Sequence, residues 1–488
     1  MEAPPATSET AINAMIDNAP SVSNGASAEA TQAQANSGLS ADDFALYDRQ
    51  IRLWGAQAQE RIRNAHILLV SLRALGTEIA KNLTLAGISS LTIVDDEPVT
   101  EEDLGSCYFL RDEDVGKPVC DANFDMNSIK RACDANISKR AECAIPRIQE
   151  LNPRVSVTSG GALSDLLSKD QTFYEPYSVV IACDHNFDVL SIINTAARFA
   201  GRPFYAAAIH GTYGCIFADL VQHDFIIERE KSNVPTNLAP ETITRVVLSS
   251  QTKQEPSGKT TEIVTKRETY CPLILSNSSP LAPDILRNRR KLKAVSPLLP
   301  CLRALFEFQR TYSRLPNHDA QDLTNFTSLA TNKSRELQLP PETLKSEFLR
   351  SFLQNIGAEI ITTAAFVGGR LAEDVINVLG KREQPIQNFA LFDGENLQGP
   401  VYCLYSPPPE VTLAAMGALP QDAMVGATQM NGGASGMPQG MGVGGQSMDM
   451  GMAGMDGGFP ESGSNMMNGD MQQFQQQQQQ HAQPQVIE

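Results

Sequence analysis

Residues 66–83 read HILLVSLRALGTEIAKNL, an apolar run, a short turn and a segment with helical spacing. A strand that runs through a turn into a helix is where a nucleotide-binding α/β protein carries its phosphate loop. A G-x-G-x-x-G loop would need glycine at 71, 73 and 76. The chain has Ser71, Arg73 and Gly76. The frame of a phosphate site is present, and two of the residues that let phosphate approach are gone. The helix is expected over 76–86, burying Ile79, Leu83 and Leu85.

Working outward, strand-like and helix-like segments alternate. LTIVDD (91–96), a helical stretch ending near 150, RVSVTSG (154–160), SVVIACD (178–184), a helix over 187–200 and RPFYAAAI (202–209) follow in turn. Apolar strands alternating with helices imply a doubly wound α/β fold with a parallel sheet covered on both faces. The pattern then breaks. Residues 228–270 read as polar and turn-rich, and 285–356 as helical with loops. A helix around Gly368 and Gly369 and the strand candidates NFALFDG (388–394) and PVYCLYS (400–406) resume it. The expected organisation is a disordered 1–40, α/β over 41–227, a mainly helical insertion over 228–350, a return to α/β over 351–410, and a Gly/Met/Gln-rich disordered tail over 411–488. Residues 119–138, VCDANFDMNSIKRACDANIS, lack a clear amphipathic period, and their removal would join VGKP to KRAECAIPRIQEL. A translated intron and a genuine surface insertion both account for them.

Composition narrows the function. The 488 residues carry a formal charge of −17, which argues against a broad nucleic-acid-binding face. Cysteines at 107, 120, 133, 143, 183, 215, 271, 301 and 403 form no C-x-x-C pair, as expected for reduced thiols rather than a zinc site. No metal site is expected. No apolar run approaches the roughly 20 residues that span a bilayer, and the acidic N-terminus lacks the basic start of a signal peptide. A location in cytosol or nucleus is the expectation. The basic run RNRRKLK (287–293) reads either as a solvated helix face or as a nuclear import signal.

YDRQIRLWG (47–55) opens the α/β part, with Tyr47, Ile51 and Trp54 at helical spacing and Arg49 and Arg52 off that stripe. Together with AKNLTLAGISSLTIVDDEPVTEEDLG (80–105) and AEIITTAAFVGGRLAEDVINVLGKREQPIQNFALFDG (358–394), it resembles the ubiquitin-like-protein activating enzymes. The resemblance covers most of 41–225 and returns at 358–405. It implies the Rossmann-like fold of bacterial adenylating proteins, in which two such halves pair about a pseudo-twofold axis. One half keeps the ATP site in the eukaryotic versions, and the other has lost it.

This chain resembles the half that has lost it. Where a competent half carries Asn-Leu-Asn-Arg-Gln-Phe, the matching stretch is DLGSCY, placing Asp103, Gly105, Ser106 and Cys107 at the polar and cationic positions. Arg73 is expected to intrude on the phosphate space, and Asp103 to make the pocket more negative. Asp95 stands where a ribose hydroxyl would be held, and Asp184 where a metal-binding acid would lie; both read as relics. Cys271 and Cys301, the thiols of the middle region, sit beside proline and aliphatic residues and read as buried structural cysteines. No cofactor is expected in this chain's own pocket.

The resemblance implies that a catalytic partner subunit binds ATP and magnesium. It also implies that Arg49 reaches across the heterodimer to that site, in the manner of an arginine finger. Arg52 reads as structurally paired. In the modest size of its middle region and in the close of its fold the chain looks more like the smaller subunit of the SUMO-activating enzymes, and that resemblance implies a downstream conjugating enzyme reached through the partner. A Rub-type regulatory subunit and an autonomous nucleotide-binding enzyme are the alternatives.

Overall fold

The computed structural model describes residues 38–116, 139–254 and 258–407. The suspected insertion at 119–138 and nearly all of the two terminal segments lie outside them. The run that opens the sequence forms β1, His66–Val70, and helix Ala74–Ala86. That helix is α2; α1 is Asp48–Trp54. In β1 Ile67 and Leu69 face one hydrophobic cluster while Leu68 and Val70 face another, and all four are fully buried. A strand covered on both faces has no polar side, so its sequence reads as a continuous apolar run.

The sheet grows from β1 in both directions. β2 (Ser90–Val94) and β4 (Val179–Cys183) flank it in parallel, with Leu68 opposite Thr92 and Val180. β3 (Ser156–Ser159) and β5 (Phe204–His210) extend it, also in parallel. The order is β11-β10-β6-β5-β4-β1-β2-β3. The last three members, β6 (Tyr213–Asp219), β10 (Phe389–Asp393) and β11 (Val401–Tyr402), are antiparallel. β6 escaped the sequence reading although Gly211 and Thr212, between β5 and β6, form a two-residue hairpin turn.

One face of the sheet carries α2, α3 (Arg140–Leu151) and the 20-residue α8 (Ile361–Gly380). The other carries α4 (Phe187–Phe199), α5 (Leu298–Tyr312), α6 (Ala320–Glu336) and α7 (Ser346–Asn355). Ile79 and Leu83 of α2 are buried as expected, but Leu85 is 45% exposed. Its position falls on the outer face of the helix, with Lys81 and Asn82. Among the described residues no helix is long and apolar enough to cross a membrane.

The middle region differs most from its reading. Residues 222–269 are not loops but an antiparallel sheet of β7 (Gln222–Glu230), β9 (Thr260–Thr269) and β8 (Arg245–Gln254), in that order. A boundary at 227 cuts through β7, and one at 350 cuts through α7. The strands escaped notice because charged residues face each other across the ladder in place of an apolar stripe. Arg267 meets Asp224 at 2.6 Å, Arg229 meets Glu262 at 3.0 Å and Arg245 meets Glu268 at 2.6 Å. Each pair is directly opposed in register, and such pairs stabilise a sheet that buries few apolar side chains. Phe225, Val247 and Val264 supply its buried face.

Candidate functional site

The β1–α2 turn keeps its glycine only where packing demands it. A Cβ at Gly76 would lie 2.2 Å from the Ser71 carbonyl oxygen, so no side chain fits there without moving the turn. Ser71 itself adopts φ 75°, a left-handed conformation that glycine would hold at less cost. The turn has kept the backbone path of a glycine loop after losing a glycine from it.

Arg73 does not project into an open phosphate space. It pairs with Glu359, whose carboxylate also accepts the Ala74 N–H at 3.2 Å and the Ser106 hydroxyl at 2.9 Å. Ala74 is the first residue of α2, so this carboxylate sits at the end of a helix where free N–H groups attract anions. Glu359 stands just ahead of α8 and lies 285 positions from Ala74 in sequence.

The ribose side is filled as well. Arg140, the first residue of α3, donates to both oxygens of Asp95 at 2.9 and 2.8 Å and to Asp103 at 3.2 Å. Asp95 also accepts the Leu72 N–H at 2.6 Å. All three charged side chains are buried. Burial alone would pull the guanidinium down, but the two carboxylates hold its pKa above the ordinary arginine value. Asp95 and Asp103 share the one guanidinium, so Arg140 supplies the positive charge that the motif position had lost and offsets one of the two carboxylates. Cys107, from the same stretch, turns toward the Leu72 carbonyl at 3.6 Å, and burial pushes its thiol up to about 11.

Asp184 directly follows β4 at φ 56° and accepts the Ile209 N–H at 3.1 Å. Burial first, and the neighbouring Glu359 charge after it, raise its carboxyl to about 7. Among the described residues no group of three His, Cys, Asp or Glu side chains is arranged to hold a metal ion. One internal carboxylate, Glu359, sits at the start of α2, and an internal guanidinium, Arg140, covers Asp95. Sequence reasoning missed both Glu359 and Arg140. Glu359 lies in the stretch 358–394, but nothing local signals a contact across 285 residues, and Arg140 follows the segment at 119–138.

Arg49 has the opposite setting. Its helix α1 is fixed to the end of α2 by residues around it. Tyr47 is buried against Gly87, where any Cβ would fall 2.5 Å from the ring, and its hydroxyl accepts from Asn152 at 2.9 Å. Gln50 donates to the Leu85 carbonyl at 3.2 Å, and the Trp54 indole donates to Gln59 at 2.9 Å. Arg52 pairs with Asp48 at 2.9 Å, one turn back along the helix. Arg49 is exposed and makes no hydrogen bond or ion pair with the described residues. Beside it lies an open groove of about 630 Å³ lined by Gln50, Leu53, Trp54, Leu85, Gly369 and Ile376. Leu53 is 78% exposed there, on a helix otherwise well anchored.

The middle-region thiols are both buried. Burial pushes Cys271 up to about 12 and raises Cys301 further. Neither has the lowered pKa of a nucleophile. The basic run at 287–293 forms a short exposed helix, Arg289–Lys293, with Lys291 on Asp284 at 2.8 Å and Lys293 on Glu342 at 3.4 Å.

A doubly wound sheet whose first turn keeps the path of a phosphate loop defines an adenylation-type α/β protein, and the chain belongs to the ThiF family, which matches residues 47–125 and 123–411. It is 35% identical over 368 residues to the DNA damage tolerance protein RHC31 of Saccharomyces cerevisiae, covering 75% of this chain and 97% of that protein. It is 31% identical to SUMO-activating enzyme subunit 1 of Homo sapiens, covering 76% and 98%. The corresponding protein of Xenopus laevis is 29% identical, with 75% and 97% covered.

Proposed function

We propose that this chain is the regulatory, non-catalytic half of a heterodimeric SUMO-activating enzyme. In this reading the partner subunit binds ATP and magnesium, adenylates SUMO and carries it as a thioester to a conjugating enzyme. The observation that carries the proposal is the contrast between the two sites. The chain's own pocket is closed by Glu359 and Arg140, while Arg49 stands unpaired on a helix rigidly held to the fold. An arginine with no internal partner, on a fixed support, suits delivery of a planar guanidinium to phosphate on another subunit. The partner would cover exposed Leu53 and Leu85, which removes apolar surface from water. Similarity to SUMO-activating enzyme subunit 1 along nearly its whole length favours SUMO over a Rub-type modifier. The exposed basic helix at 289–293 supports a nuclear location.

The test is ATP–pyrophosphate exchange by the purified heterodimer with SUMO present. Arg49→Ala should lower exchange by roughly a hundred- to a thousandfold, the loss of about 3–4 kcal/mol typical of one transition-state contact. Gel filtration should show the dimer intact, since Tyr47 and Trp54 are untouched. Arg49→Lys should restore only part of the rate, because a point charge cannot reproduce the fork. Normal exchange by an intact Arg49→Ala dimer would reduce the chain to a scaffold. Exchange by the isolated chain would make it an autonomous enzyme instead.

A further inference from the structure

The anion end of the degenerate pocket is a working anion site that is already filled. Three donors of separate origin meet on one carboxylate: the Arg73 guanidinium, the Ala74 N–H that opens a 13-residue helix, and the Ser106 hydroxyl. This is the donor set that would hold phosphate or sulfate, namely a helix N-terminus, a cation and a neutral hydroxyl. The Glu359 side chain is 14% exposed and Arg73 44%, so the cluster opens to solvent on the arginine side. A second observation lies beside it: the Asp184 Oδ2 is buried without a hydrogen-bond partner. Burial first, and the Glu359 charge after it, raise that carboxyl above the ordinary carboxylate range.

We propose that Arg73, the Ala74 amide and Ser106 form an oxyanion site whose permanent ligand is the chain's own Glu359 carboxylate, an internal substitute for phosphate that ties the start of α8 to the β1–α2 turn. The chain thereby completes the turn without nucleotide. A tethered carboxylate acts at an effective concentration that free phosphate at millimolar levels does not match, so the intact chain ignores the free ion. The inference does not depend on which modifier the heterodimer activates, nor on Arg49.

Removing the tethered anion should expose the site. Thermal unfolding of the full chain is compared in sodium phosphate and in sodium chloride at matched ionic strength, with sodium sulfate as a second oxyanion. The parent should gain in phosphate and sulfate only the general stabilisation that excluded kosmotropic anions give a folded chain. Glu359→Ala should be less stable in chloride and recover in phosphate and sulfate beyond that parent gain, by about tenfold in its folding equilibrium at ten times the dissociation constant. Arg73→Ala combined with Glu359→Ala should lose that recovery. A variant that stays soluble only in phosphate or sulfate supports the proposal equally. No oxyanion response from Glu359→Ala, or the same response from the parent, overturns it. Should Glu359→Ala be insoluble in every salt, a cycle of Arg73→Ala and Glu359→Gln decides. A double variant no less stable than the worse single supports an internal ligand held by Arg73, and additive losses overturn it.

Discussion

The β1–α2 pocket and the α1 helix both present arginines, and they use them in opposite ways. In the pocket, Arg140 and Arg73 are matched to Asp95, Asp103 and Glu359 within the chain. On α1, Arg52 is paired to Asp48 while Arg49 is left free among the described residues. A charge neutralised inside a fold holds the fold together and binds nothing else. An unpaired charge on a rigid support contributes little to folding and remains available for another molecule. The comparison turns on what each side chain touches, since the residue type is the same.

The hardest way to break this comparison is to remove the pocket's central cation. Arg140→Ala leaves two buried carboxylates facing each other, and breaking a buried pair typically costs about 3–5 kcal/mol. Urea unfolding should show that loss, largely relieved when Asp95→Asn and Asp103→Asn accompany it. A loss below about 1 kcal/mol, as at an exposed pair, would mean that water already enters the pocket. Gly76→Ala should cost somewhat less, about 1–3 kcal/mol, as the turn shifts to relieve a contact of 2.2 Å with the Ser71 carbonyl. A neutral effect on the midpoint would show that the turn is not held by its neighbours.

Asp184 sharpens the contrast through pH. Its carboxyl is raised from 3.8 to about 7, so the folded chain keeps a proton that the unfolded chain has already released. Stability from this group therefore falls as pH rises from about 4 to about 7 and is level above that. Asp184→Asn removes the fall and tolerates the left-handed backbone. The variant should gain on the order of 1–2 kcal/mol over the parent above pH 7 and little near pH 4. His210 and His223, both lowered to about 4 by burial, act in the opposite direction in parent and variant alike and cancel in the difference. An equal gain at every pH would place the effect in packing instead. The smallest effect belongs to Arg49→Ala, whose unfolding midpoint should stay within about 0.5 kcal/mol of the parent. A larger loss would give Arg49 a structural task and blur the distinction between the two regions.

Much of the fold was legible because its central strands are covered on both faces. β1, β2, β4 and β5 follow apolar runs, and α2 and α8 follow helical spacing. The three-stranded sheet of β7, β8 and β9 was not legible. Its strands are held by opposed charges such as Arg267 and Asp224, and a polar strand of that kind resembles a loop when read alone. At the site, the missing glycines and the altered DLGSCY stretch were legible, but the cation that offsets part of the added negative charge was not. Arg140 reaches Asp95 and Asp103 from a segment remote in sequence.

The sequence by itself determined the family, the doubly wound sheet and the loss of the phosphate loop, because those depend on local pattern: apolar runs, turn residues and motif identity. Only the tertiary structure decided what replaced the lost contacts. Glu359 reaches the Ala74 amide across 285 residues, and Arg140 reaches Asp95 across 45. Electrostatic pairing acts through space and leaves no periodic trace along a chain. Whether an arginine is committed or free is therefore settled by its neighbours in the fold.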